Sequence, residues 1–69
     1  MSALIERVDR WASSLPLEDS IPVSESEVYE FAFWLNENAN PPSAMRLRML
    51  LDQLQRSQFV YHGHRVVVI

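Results

Sequence analysis

The chain has 69 residues, no cysteine, no lysine and a formal net charge of −3. The missing cysteines exclude a disulfide framework and zinc sites built on thiolates, and the length allows one small domain. Residues 1–40 hold eight acids and two arginines, a formal charge of −6, whereas residues 41–69 hold four arginines and one acid, a formal charge of +3. Recognition by these cations uses planar guanidinium groups, which suit carboxylates, phosphates and aromatic faces.

No apolar run approaches the roughly 20 residues that would span a bilayer. The first ten residues form an amphipathic pattern that contains acids, unlike a signal peptide. We therefore expect no membrane anchor and a cytoplasmic protein.

A first helix is predicted over residues 2–15. Pro16 ends it, because proline has no amide proton to donate and disfavours helix in the residue before it. Residues 16–23 form a linker in which Ile21 and Val23 have the spacing of a very short strand. One face of the helix is apolar and consists of Leu4, Val8, Trp11 and Leu15, flanked by Ile5 and Ala12.

The second helix, over residues 25–36, has the clearest start signal in the chain. Ser24 and Glu27 have the spacing of a capping box, in which each side chain accepts a hydrogen bond from the backbone amide of the other. Tyr29 and Phe33 form a second apolar pair, four residues apart, beside the main stripe. That main stripe, which we expect in the core, consists of Val28, Phe31, Ala32 and Leu35.

Asparagines and two prolines predict a turn over residues 37–42, and Ser43 can cap a third helix over residues 44–57. Steps of about 100° per residue place Met45, Met49 and Arg56 opposite the leucines, and we expect them to be exposed. The leucines of the core face are Leu47, Leu50, Leu51 and Leu54.

The end of the chain, residues 59–69, is rich in β-branched and aromatic residues and predicts a hairpin. A two-residue turn at His62 and Gly63, the only glycine, would pair Tyr61 with His64. The same register pairs Phe59 with Val66. Residues 66–69 then form an apolar strand edge without an evident cover, which is one reason to expect a homodimer.

Residues 1–69 are thus predicted to form a single, mostly helical α+β domain of three helices with a C-terminal β-hairpin. This element order, and above all the segment PSAMRLRMLLDQLQRSQFVYHGHRVVVI, resembles a winged helix-turn-helix domain. The resemblance implies that the helix over residues 43–57 reads DNA and that residues 62–65 form the tip of the wing. In this case the arginines that contact nucleic acid would be Arg46, Arg48, Arg56 and Arg65.

In length and acidity the chain also resembles, in style alone, the small accessory proteins with which bacteriophages bind and disable host factors. The sequence has no catalytic motif and no glycine-rich phosphate loop, so we expect no enzyme and no cofactor. His62 and His64 could point to one side of a strand, but two imidazoles without a third ligand make a weak metal site. We expect no bound metal and solvated histidines.

Methionine beside arginine is typical of adaptable protein-binding surfaces, and thioethers form no hydrogen bonds with base edges. We therefore predict a regulatory protein that docks on and modulates or inhibits another protein. DNA binding by a transcriptional regulator stays open as the alternative. The residues expected to bind the protein partner are Met45, Arg46, Met49, Arg56, Tyr29 and Phe33.

Overall fold

A computed structural model describes residues 3–39 and 41–69. Two parts of the sequence prediction, the start of the first helix at residue 2 and residue 40 of the turn, lie outside the described residues. The elements in chain order are α1 (Ala3–Ser14), β1 (Ile21–Val23), α2 (Glu25–Glu37), α3 (Ala44–Gln55), β2 (Val60–Tyr61) and β3 (His64–Val68).

The described residues form a mixed α+β fold of three helices and a small sheet, with the predicted hairpin at the C-terminal end. The strand order is β1-β3-β2. Strand β1 pairs with β3 in parallel, with Ile21 opposite Val66, and β2 pairs with β3 in antiparallel. The prediction that residues 66–69 form an uncovered edge is wrong, because the extended segment before α2 supplies backbone partners along that edge of β3.

The start of α2 is the predicted capping box. The Ser24 hydroxyl accepts from the Glu27 amide at 3.3 Å, and the Glu27 carboxylate accepts from the Ser24 amide at 2.8 Å. Val23 and Val28, on either side of the cap, are both buried. Three of the four expected core residues of α2 are buried and Leu35 is half-buried, so the predicted core face is confirmed.

Helix α3 ends two residues earlier than predicted. The Gln58 amide donates to the Gln53 carbonyl at 2.9 Å and the Ser57 amide donates to the Leu54 carbonyl at 3.1 Å. This is the Schellman pattern, and it places Ser57 in the left-handed region at φ 55°. The Ser57 hydroxyl also accepts from the Val68 amide at 3.2 Å, so the end of α3 is tied to β3.

The hairpin turn has the predicted two residues and the predicted register. Tyr61 lies opposite His64, and the Val66 amide donates to the Phe59 carbonyl at 2.9 Å. His62 and Gly63 both have positive φ, 49° and 85°, as a type I′ turn requires. A glycine is favoured at the second position because a side chain avoids this backbone conformation.

The core lies between the three helices and the sheet. Phe31, fully buried on α2, packs edge-on against Phe59 and Tyr61, with ring centroids 6.1 and 5.3 Å away. Such ring pairs stabilise a core beyond the area that they bury. The buried apolar residues are Leu4, Ile5, Val8, Ile21, Val23, Val28, Phe31, Ala32, Leu50, Leu54 and Val66.

Side-chain contacts of Arg7 and Asp9 join α1 to the rest of the fold. Arg7 forms a two-pronged ion pair with Glu27, both N–O distances being 3.0 Å, and the Arg7 hydrogen bond holds the pKa of the Glu27 carboxyl below its ordinary value. The Tyr61 hydroxyl donates to the Asp9 carboxylate. Burial, and then this hydrogen bond, raises the pKa of Tyr61 to about 12.

Candidate functional site

The outward side of α3 carries exposed methionines, as predicted. Met45 and Met49 lie one turn apart and are 74% and 58% exposed, whereas Leu50 and Leu54 on the opposite side are buried. The side chain of Ser43 caps the helix by accepting from the Arg46 amide at 3.0 Å. This cap fixes the start of α3, and helical geometry then sets where both thioethers emerge.

A groove runs beside these methionines, between α3 and the start of the hairpin. Met45, Arg46, Met49 and Gln53 line it from α3, and the half-buried ring of Phe59 lines it from the hairpin side. We call these five residues the methionine surface. It offers adaptable apolar contact, one guanidinium group and one side-chain amide, a combination suited to a mixed apolar and acidic partner surface.

The four arginines proposed for nucleic acid do not form one basic track. Among the described residues no carboxylate lies within ion-pair distance of Arg46 or Arg48. Arg56, in contrast, pairs with Asp52 at 3.0 Å on the exposed side of α3. Arg65 lies on β3 and lines a separate depression, which includes the acidic residues Glu18 and Asp19.

Tyr29 and Phe33, also predicted to bind a partner, are exposed to 49% each. They lie on α2, and the Tyr29 hydroxyl is 3.4 Å from the Gln55 amide nitrogen on α3. They do not line the groove of the methionine surface. The structure therefore divides five of the six predicted partner-binding residues between two surfaces, and the sixth, Arg56, does not line the groove.

The two histidines of the hairpin have different environments. His62 is exposed at the turn, whereas His64 is only 1% exposed, so the prediction of a solvated side chain is wrong for His64. Its ring nitrogens lie 3.1 Å from the carbonyl oxygens of Asp19 and Ala12. The Ala12 carbonyl lacks a helical donor, because the residue four positions later is Pro16, which has no amide proton. A ring nitrogen of His64 lies where that donor would be.

These contacts give His64 a structural role. A neutral imidazole has one N–H and donates to one of the two carbonyls at a time. Within the described part of the chain, no group of three or more histidine, cysteine, aspartate and glutamate side chains is arranged to hold a metal ion. Likewise, none of the described helices is long and apolar enough to cross a membrane.

Two members of the methionine surface, Phe59 and Gln53, were absent from the predicted binding residues. Phe59 was placed in the hairpin, and its proximity to α3 depends on the tight Schellman end of that helix. No local pattern in the sequence could have shown that the chain returns to α3 within four residues of its end.

No protein-family model matches the chain, and no curated protein or solved structure is significantly similar to it. The likeness to winged helix domains is therefore a likeness in the order of elements. Function must be argued from the surfaces described above.

Proposed function

We propose that this is a small non-enzymatic regulatory protein that docks on another protein through the methionine surface and modulates or inhibits it. The observation that carries the proposal is the exposure of Met45 and Met49 one turn apart on a capped helix. In this proposal the protein acts in the cytoplasm and without a cofactor. Its effect is produced by occupying a surface of the partner.

Energetic considerations support a protein partner. Full burial of a methionine side chain is worth about 1.5 to 3 kcal/mol, so the two exposed thioethers can contribute several kcal/mol on docking. Arg46, which has no carboxylate partner among the described residues, can form a charge-assisted hydrogen bond with an acidic group of the partner. Together these gains offset much of the cost of association, which is about 4 to 15 kcal/mol.

DNA binding is the second candidate, because α3 directly precedes the hairpin and exposes Arg46 and Arg48. Two observations weigh against it. Asp52 lies on the exposed side of α3 and pairs with Arg56, so this arginine is partly neutralised beside a carboxylate that repels phosphate. Arg65 lies in a depression shared with acidic residues. A phosphate backbone requires a continuous basic track, whereas a protein partner does not.

The test uses the double variant Met49→Glu and Arg46→Glu. Both side chains are exposed, so the free energy of unfolding should change by less than about 0.5 kcal/mol. Arg46 is the third residue of α3, where the free amides of the helix N-terminus favour a carboxylate. The matched control, Leu17→Glu with Arg10→Glu, makes the same charge change at exposed positions elsewhere.

Immobilised wild type, double variant and control are compared by affinity capture from bacterial lysate with quantitative mass spectrometry. We expect proteins that the wild type and control capture equally and that the double variant loses. Melting curves check that the variant is folded. If a folded double variant still captures the same proteins, the partner binds a different surface. Salt-dependent binding of the wild type to duplex DNA in a mobility-shift assay would favour the DNA-binding alternative.

A further inference from the structure

The methionine surface carries the sulfur atoms of the described part of the chain. The sequence has three methionines and no cysteine, and the structure describes two of the three, Met45 and Met49. Met1 lies outside the described residues. A two-electron oxidant that would react with a cysteine thiolate in another protein therefore meets only thioether sulfur in this sequence.

Both described thioethers are open to a small oxidant. Met45 is 74% exposed and Met49 is 58% exposed. Neither belongs to the buried core or to the half-buried residues packed against it. Susceptibility to oxidation rises with exposure, and an oxygen atom added on this side of α3 displaces no core side chain.

Hydrogen-bond donors lie around the two thioethers. Arg46 and Gln53 line the groove together with both methionines, and Arg48 lines a second depression that also includes both. Asp52, the acidic residue of that depression, pairs with Arg56. Among the described residues, no carboxylate lies within ion-pair distance of Arg46 or Arg48. These guanidinium groups and the Gln53 amide are therefore available to donate to a sulfoxide oxygen.

We propose that Met45 and Met49 form an oxidative modification site, at which a hydroperoxide converts the thioethers to sulfoxides and so switches off docking through the methionine surface. In each step a sulfur lone pair takes the terminal oxygen of the peroxide and the O–O bond breaks. The proton of the transferred oxygen passes to the leaving oxygen, which departs as water or an alcohol. Sulfur loses two electrons and the peroxide gains them. Sulfoxide reductases reverse the change, with one enzyme for each sulfoxide epimer.

This switch rests on the docking function proposed above, because it removes the property on which that docking depends. Oxidation turns a flexible apolar side chain into a polar one and disrupts methionine-rich interfaces. The sulfoxide oxygen loses its water on docking, which is unfavourable. A guanidinium group that donates to this oxygen, such as that of Arg46, is also less available to an acidic group of the partner. Both changes weaken binding.

The test begins with hydrogen peroxide added to the folded wild type, and peptide mass spectrometry locates the added oxygen. Met45 and Met49 should each gain one oxygen atom at a rate close to that of free methionine in the same solution. The circular dichroism spectrum should remain that of the folded protein. The matched control, Met45→Leu with Met49→Leu, carries apolar side chains of similar volume that peroxide does not oxidise. It keeps Met1, so an effect of oxidation at that residue appears in both proteins.

Docking is then measured by capture from bacterial lysate, with the immobilised chain below saturation. Oxidised wild type should capture about tenfold less of the proteins that untreated wild type captures, because burial of even one thioether is worth about that factor in affinity. Treatment with both classes of methionine sulfoxide reductase should restore capture. The leucine variant should capture equally before and after peroxide.

The outcomes separate the switch from the docking function. If untreated wild type captures no protein that the Met49→Glu and Arg46→Glu variant loses, the docking function fails and the switch fails with it. If wild type captures such a protein and keeps it after both thioethers are oxidised, docking stands and the switch is overturned. Three further results would overturn the switch alone: thioethers that resist peroxide, an oxidised wild type that unfolds, or an equal loss of capture in the treated leucine variant.

Discussion

The region around His64 and the outward side of α3 differ in how they satisfy their side chains. Around His64, the ring nitrogens lie within hydrogen-bond distance of two carbonyl oxygens, and Tyr61 donates to Asp9. On α3, Met45 and Met49 face solvent, and Arg46 has no carboxylate partner among the described residues. Satisfied groups hold the fold together, whereas unsatisfied ones add little to stability and remain available for binding.

The contrast can be measured because a domain of this size has only a few kcal/mol of net stability. Substitutions in the region around His64 should reduce the free energy of unfolding by nearly this amount. Substitutions of the same residue type on an exposed side should leave the free energy of unfolding nearly unchanged.

The largest difference is expected between two phenylalanines of α2. Phe31→Ala removes a fully buried ring that packs on Phe59 and Tyr61, and it should cost about 3 to 5 kcal/mol. Phe33→Ala, two residues away and half-exposed, should change stability by about 0.5 kcal/mol or less. Urea denaturation at a concentration that keeps the chain monomeric measures both. Equal losses of stability in the two variants would mean that Phe33, like Phe31, belongs to the core of the single chain.

The two hairpin histidines provide the next comparison. His64→Asn should cost about 2 to 4 kcal/mol, because the shorter side chain leaves a gap and cannot reach both the Asp19 and Ala12 carbonyls. His62→Asn should be neutral or slightly stabilising, since Asn-Gly is the preferred type I′ pair. Thermal melts of the two variants decide the matter, and a neutral result at His64 would refute its structural role.

A smaller effect is expected at Glu27. Glu27→Gln weakens the two-pronged pair with Arg7 and should cost about 1 to 2 kcal/mol at pH 7. The folded-state pKa of Glu27 is lowered, chiefly by the Arg7 hydrogen bond, so its contribution is present above the ordinary pKa of 4.5 and is lost as the pH falls through the folded-state pKa.

The gap in stability between wild type and Glu27→Gln should therefore narrow as the pH is lowered below 4.5, which denaturation at a series of pH values can follow. Glu30→Gln, on the same helix but exposed and without an ion-pair partner among the described residues, is the matched control. A gap that stays constant down to pH 2 would show that the pair does not depend on the Glu27 charge.

Much of the local structure could be predicted from the sequence. The capping box at Ser24, the core faces of the helices and the pairing of Tyr61 with His64 are all as expected. The exposure of Met45 and Met49 on α3 also follows from helical spacing. The grouping of Gln53 and Phe59 with the methionines did not follow, because it depends on how tightly α3 ends.

The sequence alone determined the features that depend on residues within a turn or two of one another, since helix periodicity, capping and tight turns act over that range. Only the tertiary structure decided contacts that join distant segments: β1 beside β3, Arg7 with Glu27, and His64 between two carbonyls. His64 illustrates the physical reason. Pro16 leaves the Ala12 carbonyl of α1 without a helical donor. Which side chain lies beside this carbonyl depends on how the whole chain packs, because every helix and strand must bury its apolar face at once.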